Sequence, residues 1–283
     1  MPHLLFYGPP GTGKTSCMIA IARELYGDNY QNMTLELNAS DDRGIDVVRD
    51  KIKSFCSTQQ LMSRGVKLVI LDECDSMTNA AQFALRRIVE KYTTNTRFCL
   101  ICNYVSKVIP ALQSRCTRFR FGPLTDESVL KKLNEVANYE GKNLGPKSQR
   151  AIVSLSGGDM RKVLNILESC SLAYDEISED KVYDVTGRPS PGEIDQIYTW
   201  LKTAQFSVAF ANILELKQKR SLAADDVLRQ IHQRIMVDPA FNDRQKLFIV
   251  ERMSQIEYRL AQGCTDKAQI ASAIGAFVEA RKK

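Results

Sequence analysis

The plainest chemistry in the chain lies in eight residues near its start. Gly8-Pro9-Pro10-Gly11-Thr12-Gly13-Lys14-Thr15 has the spacing G-x-x-x-x-G-K-[ST]. It follows an apolar run, His3 to Tyr7, and precedes a helical pattern that begins at the Lys14-Thr15 step, the setting that this spacing needs. There the glycines let successive backbone N–H groups curl around a β-phosphate, and the helix start adds the positive end of its dipole. Lys14 is expected to reach the β- and γ-phosphates, and the Thr15 hydroxyl to ligate magnesium. The expected nucleotide-binding set is Gly8, Pro9, Pro10, Gly11, Thr12, Gly13, Lys14, Thr15 and Ser16.

A second run, Leu68-Val69-Ile70-Leu71-Asp72-Glu73, is an apolar strand ending in two carboxylates. Both acids emerge at the C-terminal end of the strand, where ligands sit in open α/β sheets. Asp72 can hold magnesium through water, and Glu73 can polarise an attacking water. Together the two runs predict a site for ATP with Mg2+, with Lys14, Asp72 and Glu73 as its catalytic side chains.

The elements that must hold these residues follow from periodicity. His3 to Tyr7, Thr34 to Leu37, Val66 to Leu71, Phe98 to Ile101 and Thr117 to Phe121 read as buried strands. Helices separate them, one carrying Ile45, Val48, Ile52 and Phe55, another Phe83, Ala84, Ile88 and Val89. Buried strands alternating with helices predict an α/β fold with a parallel sheet over residues 1–122. Beyond Gly122-Pro123 only helices are expected, near 126–140, 146–155 and 159–173, with a short one from 179. The breaker Gly187-Arg188-Pro189-Ser190-Pro191-Gly192 then separates a helical domain, 123–188, from an all-helical one, 189–283. In the last, helices are expected near 193–203, 206–217, 223–236, 242–262 and 266–281.

Composition, 44% hydrophobic and 25% charged, is that of a folded chain and excludes disorder and low-complexity scaffolds. No apolar run approaches the roughly 20 residues a membrane helix needs, so a soluble, intracellular protein is expected. The net charge of +6 is uneven: residues 1–122 hold 16 basic and 11 acidic side chains, and 86–120 hold eight Lys or Arg against one Glu. Such an excess attracts polyanions, though a solvated basic face would look the same. Eight cysteines lack the paired spacing of a zinc site. Cys99 and Cys102 come nearest, but three residues apart on a strand they face opposite sides. Free thiols in a reducing compartment are expected, so the sequons at Asn32 and Asn38 carry no weight.

Asp72-Glu73-Cys74-Asp75 resembles the DExD box of the AAA+ clamp loaders, and further segments resemble the small subunits of replication factor C in chain order. Ser114-Arg115-Cys116 matches their Ser-Arg-Cys signature, and Gly158-Asp159-Met160-Arg161 is similar to their sensor 2. Asn103 stands where they keep sensor 1, and Leu37 to Ile45 is similar to another of their segments. The likeness covers nearly the whole chain. It implies an AAA+ P-loop ATPase core with a helical lid and an oligomerising collar. Arg115 would reach the ATP of a neighbouring subunit, and Asn103 and Arg161 would contact this subunit's own nucleotide. The implied partners are other replication factor C subunits in a hetero-pentamer, the sliding clamp (proliferating cell nuclear antigen) and primer-template DNA, in the nucleus. From the residues alone, a satisfied buried amide is the default reading of Asn103 and a surface helix residue that of Arg161, while Arg115 reads equally as half of a surface salt bridge.

The resemblance also places the starts of two helices along duplex DNA, one with Arg43, Arg49 and Lys53, the other with Arg86 and Arg87. The inward stripe Ile45, Val48, Ile52, Phe55 leaves Arg49 and Lys53 outside. Contacts of this kind position rather than specify. Arg86 and Arg87 read equally as caps of their own helix or partners of Glu90. The family carries a few dozen residues ahead of this point, including a Tyr-Arg-Pro segment of the adenine pocket. Here the chain begins at Met1-Pro2, so a truncated form is expected, with base recognition open and the phosphate machinery intact. Two other readings stand: a nucleotide-locked structural AAA+ subunit without turnover, and a P-loop kinase for a small metabolite. Glu73 argues against the first, since a silent subunit needs no base. The second leaves Arg115 and the C-terminal helices unexplained.

Overall fold

Short apolar runs with β-branched and aromatic residues give five strands: β1 (His3–Tyr7), β2 (Thr34–Asn38), β3 (Lys67–Asp72), β4 (Thr96–Cys102) and β5 (Cys116–Arg120). This is a computed structural model that describes residues 1–40, 45–58 and 65–282, with the backbone alone for 45–49. The strands form one sheet in the order β2-β3-β4-β1-β5, every pair parallel. Tyr7 pairs with Cys102, and Leu71 with Leu100. The C-terminal ends of β1, β3 and β4 therefore lie side by side, and Gly8, Asp72, Glu73 and Asn103 emerge along one edge.

Alternate side chains divide between the two faces. Leu5, Val69, Leu71, Phe98, Leu100 and Cys102 share one apolar cluster, which Ile52 and Cys56 of α3 (Ile45–Ser57) and Leu85, Ile88 and Val89 of α4 (Asn79–Tyr92) also join. Leu4, Phe6, Leu68, Ile70, Cys99 and Ile101 share the other with Met18 and Ala22 of α1 (Lys14–Tyr26). A one-turn α2 (Tyr30–Met33) leads into β2. Cys99 and Cys102 thus lie in different clusters, and all eight cysteines are free thiols. Cys17 and Cys264 are the exposed ones.

Two readings of burial need correction. The expectation of strands buried on both faces holds for β1, β3 and β4 but not for the edge strand β2, where only Thr34 is buried and Glu36 is exposed, nor for β5, whose residues Thr117 to Arg120 are exposed. β5 is the other edge strand, and Arg118 and Arg120 are the charges that edges carry. On α4 the inward stripe is Ala81, Leu85, Ile88 and Val89, while Phe83 is 52% exposed. At about 100° per residue Phe83 falls opposite that stripe. Gln82 takes a buried place instead: its amide nitrogen donates to Met77 O and Lys107 O at 3.2 and 2.9 Å, and its Oε1 accepts from Ile109 N at 2.8 Å.

The chain divides into two compact units, Met1–Val136 with Val153–Asn165, and Ala137–Ile152 with Ile166–Lys283. After the short α5 (Pro110–Gln113) come α6 (Asp126–Tyr139), α7 (Pro146–Ser156) and α8 (Met160–Ala173), and the division falls within these last three. The second unit continues with α9 (Glu179–Thr186), α10 (Pro191–Thr203), α11 (Phe206–Arg220), α12 (Ala224–Val237), α13 (Asp243–Ala261) and α14 (Asp266–Ala280). Its core gathers Ile197, Ile213, Ile231, Ile249, Ile274 and Phe277 from five of these helices. The Gly-Pro punctuation has two tasks there. Gly187, at φ 64°, ends α9, and Ser190 opens α10 through a capping box with Glu193, with Pro191 in the first turn. Among the described residues no helix is long and apolar enough to cross a membrane.

Candidate functional site

The loop after β1 can turn this tightly because two positions have no side chain. At Gly8 (φ 148°) a Cβ would overlap the Phe121 carbonyl, and at Gly11 (φ 67°) it would overlap the Asp159 carboxylate. Gly13 then precedes α1 with no side-chain cap, so the helix presents its first amides to a ligand.

Lys14 is buried, and its ammonium donates to Gly8 O at 2.9 Å, Pro9 O at 2.7 Å and Asn103 Oδ1 at 3.0 Å. All three protons are thus met by neutral acceptors, which an anionic phosphate can outcompete. Burial is the main force holding its pKa below the usual lysine value; the Asp72 and Asp75 carboxylates pull it back up, and Arg161 lowers it slightly.

One residue on, the Thr15 hydroxyl donates to Asp72 Oδ2 at 2.6 Å, while Asp72 Oδ1 accepts from Glu73 N at 2.8 Å. Glu73 has left-handed backbone, φ 54°, unusual for a side chain of its kind. Its carbonyl accepts from Ser76 N and Ser76 Oγ at 2.9 and 2.7 Å, so three hydrogen bonds fix the strained residue with its side chain exposed.

Asn103 is placed by Asp75, whose Oδ2 accepts from Asn103 N at 3.2 Å and Tyr104 N at 3.0 Å. Arg161 opens α8. Asp159 Oδ1 accepts from Arg161 N at 2.9 Å and Lys162 N at 3.3 Å, and Met160 N donates to Gly11 O at 3.0 Å, tying this helix start to the loop. The result is one cleft of about 510 Å³ lined by Pro10 to Ser16, Asp72, Glu73, Asn103, Met160 and Arg161. Gly8 and Pro9 are not part of this lining; they offer their carbonyls to Lys14.

Arg115 is not among the cleft residues either. Its Nη2 lies 2.5 Å from Glu90 Oε1, and its Nη1 donates to Ala111 O at 2.7 Å. Arg86 donates through Nε to the same Glu90 oxygen at 3.0 Å. Glu90 is exposed, and Arg86, followed by Arg115, holds its carboxyl below the usual carboxylate value. Of the other expected DNA contacts, Arg43 and the side chain of Arg49 lie outside the described residues. Lys53 is exposed, 4.0 Å from Asp50, and lines a groove of about 220 Å³ with Arg87, Lys91 and Tyr92.

Sequence reasoning named Asp75 and Asp159 only as letters in motifs, although an Asp just ahead of a helix is itself a capping signal. Gln82 had no signal, and for Glu90 the sequence offered only the pairing with Arg86 or Arg87; the links of Gln82 to Ile109 and of Glu90 to Arg115 exist only once α4 meets the segment around α5.

The AAA family, described as ATPases associated with various cellular activities, matches residues 4–124, and the replication factor C C-terminal domain matches residues 189–276. Replication factor C subunit 5 of Homo sapiens is 51% identical over 98% of this chain and 82% of that protein. Replication factor C subunit 3 of Schizosaccharomyces pombe is 48% identical over 98% and 81%, and that of Saccharomyces cerevisiae 47% over 98% and 83%. Among solved structures, the Thermotoga maritima RuvB Holliday junction branch migration motor superposes with a TM-score of 0.51 at 15% identity, over 81% of this chain and 80% of that one. At that identity the likeness is one of fold.

Proposed function

Because the chain belongs to the replication factor C small subunits, we propose that it is the ATP-hydrolysing member of a hetero-pentameric clamp loader that opens a ring-shaped sliding clamp and sets it on primer-template DNA in the nucleus. The observation that carries this reading is a division of cations. Lys14 and Arg161 line the cleft beside Asp72 and Glu73, whereas the Arg115 guanidinium is held away from it on Glu90.

Lys14 exchanges neutral acceptors for the β- and γ-phosphates, and the amides of the loop and of α1 surround the β-phosphate. Arg161 covers the γ-phosphate, Asn103 holds Lys14 and a γ-oxygen in register, and Glu73 orients the attacking water and takes its proton. The donor set suits magnesium: one hydroxyl and one carboxylate, hard oxygens 2.6 Å apart. Thr15 and, through water, Asp72 would hold magnesium, which would supply positive charge at the phosphates. Arg115 serves the neighbouring subunit's ATP. Residues 123–188 act as the lid and 189–283 as the collar, while Arg43, Arg49, Lys53 and Arg86 follow the duplex backbone.

The test is ADP formation by the assembled complex, with and without primed DNA, when only the site served by Arg115 is left competent. Arg115→Ala should slow that site by roughly 10³- to 10⁵-fold, with this subunit's own ATP affinity intact. Normal turnover there, with loss of this subunit's own activity, would mean the arginine acts within its own chain.

A further inference from the structure

Glu90 stands near the end of α4, and its Oε1 alone holds two arginines, Arg86 at 3.0 Å and Arg115 at 2.5 Å. The second hold on Arg115 comes from the Ala111 carbonyl of α5, 2.7 Å from Nη1. Its guanidinium is thereby gripped at both terminal nitrogens, from two different elements. A guanidinium has five N–H donors in a rigid plane, and these two bonds leave three of them, including Nε–H, for another acceptor. The side chain keeps 33% of its surface exposed. With Arg86 and Arg115 against one carboxylate the trio carries a net charge of +1, which still attracts a phosphate.

We infer that Glu90 is the positioning residue for Arg115, fixing the plane of its guanidinium in advance so that the free N–H edge is aimed at the neighbouring subunit's γ-phosphate. This rests on the trans reading of Arg115 proposed above. An arginine on a flexible stem loses rotamer freedom each time it engages; one already clamped on Glu90 and Ala111 has lost most of it beforehand. Arg86 has a distinct part. It offsets the carboxylate charge, so that Glu90 orients Arg115 without cancelling the positive field that the phosphate meets.

The experiment uses the full complex with only the Arg115-served site competent, and measures kcat and KM for ATP. Five forms are compared: the natural chain, Glu90→Ala, Glu90→Gln, Arg115→Ala and the double variant Glu90→Ala/Arg115→Ala. Glu90→Ala should lower kcat at the neighbour's site on the order of 10-fold, the scale of coupling between contacting residues. KM and this subunit's own ATP affinity should hardly change. Glu90→Gln keeps an oxygen acceptor at the same place and should recover most of the rate. The double variant should be no slower than Arg115→Ala alone, because Glu90 acts only through that arginine. The inference is overturned if Glu90→Ala leaves kcat unchanged while Arg115→Ala abolishes it. A double variant slower than Arg115→Ala by the full Glu90 factor also overturns it, since that is what general damage to α4 would do. If Arg115→Ala itself leaves the neighbour's rate untouched, the trans reading falls and takes the inference with it.

Discussion

Gly11→Ala puts a single methyl where the Asp159 carboxylate now sits, and the consequences can be worked through. At φ 67° an alanine costs about 1 kcal/mol for left-handed backbone. The methyl also displaces Asp159, the acceptor for Arg161 N and Lys162 N. Loss of such a cap costs about 1 kcal/mol. Gly11→Ala should therefore destabilise the sheet-containing unit by about 2 kcal/mol, and Asp159→Ala by about 1 kcal/mol. The double variant separates mechanism from coincidence. Its cap is already gone, so the alanine adds only its backbone cost, and the total stays near 2 kcal/mol rather than the 3 kcal/mol of independent effects. Amide hydrogen exchange in β3 and β4 reads the opening of this unit without involving the C-terminal helices. Protection should fall about 5-fold for Asp159→Ala and about 30-fold for both Gly11→Ala and the double variant. A double variant some 150-fold less protected would show that the methyl and the cap do not compete for the same space. It would refute the view that the loop and the start of α8 are one interlocked device.

Other expectations follow from the same geometry. Lys14→Ala should abolish ATP binding in an equilibrium assay, because the pocket loses its buried cation, whereas Glu73→Gln should bind ATP normally and fail to turn it over; wild-type affinity in both variants would refute the site. Replacing Arg49 and Lys53 together with alanine should flatten the log–log salt slope of duplex binding by the assembled complex by about 2. Arg86→Ala should change that slope less, since Arg86 is already committed to Glu90; an equal or larger change would show that the pair opens on DNA.

What could be read in advance was whatever depends on neighbours in the chain. The phosphate loop, the Asp72-Glu73 strand end and the alternation of strand and helix are local patterns, and the structure places the strands within a residue or two of their expected ends. Burial was less legible. Arg118 and Arg120 within Thr117 to Phe121 are already edge charges, which the apolar alternation of Phe119 and Phe121 outweighed, and the order of the sheet gives β5 one neighbour instead of two. Phe83 was misread because an exposed aromatic on α4 weighs as much in a hydrophobic pattern as a buried one, while the inward Gln82 weighs nothing. Glu90 is the extreme case. Its link to Arg86 is an i,i+4 pair that sequence can suggest, but its link to Arg115 spans a strand and a short helix and exists only in three dimensions.

The distribution of thiols turns this subunit into an instrument. Maleimide dyes react with accessible thiolates. Cys56, Cys74, Cys99, Cys102 and Cys170 are buried. Burial also pushes the Cys116 thiol up to about 11, so little of it is thiolate at neutral pH. That leaves Cys17 and Cys264, which belong to different compact units. A donor and acceptor dye can therefore be attached to the natural chain without engineering a single cysteine, and energy transfer between them would follow the separation of the two units as nucleotide is added or withdrawn.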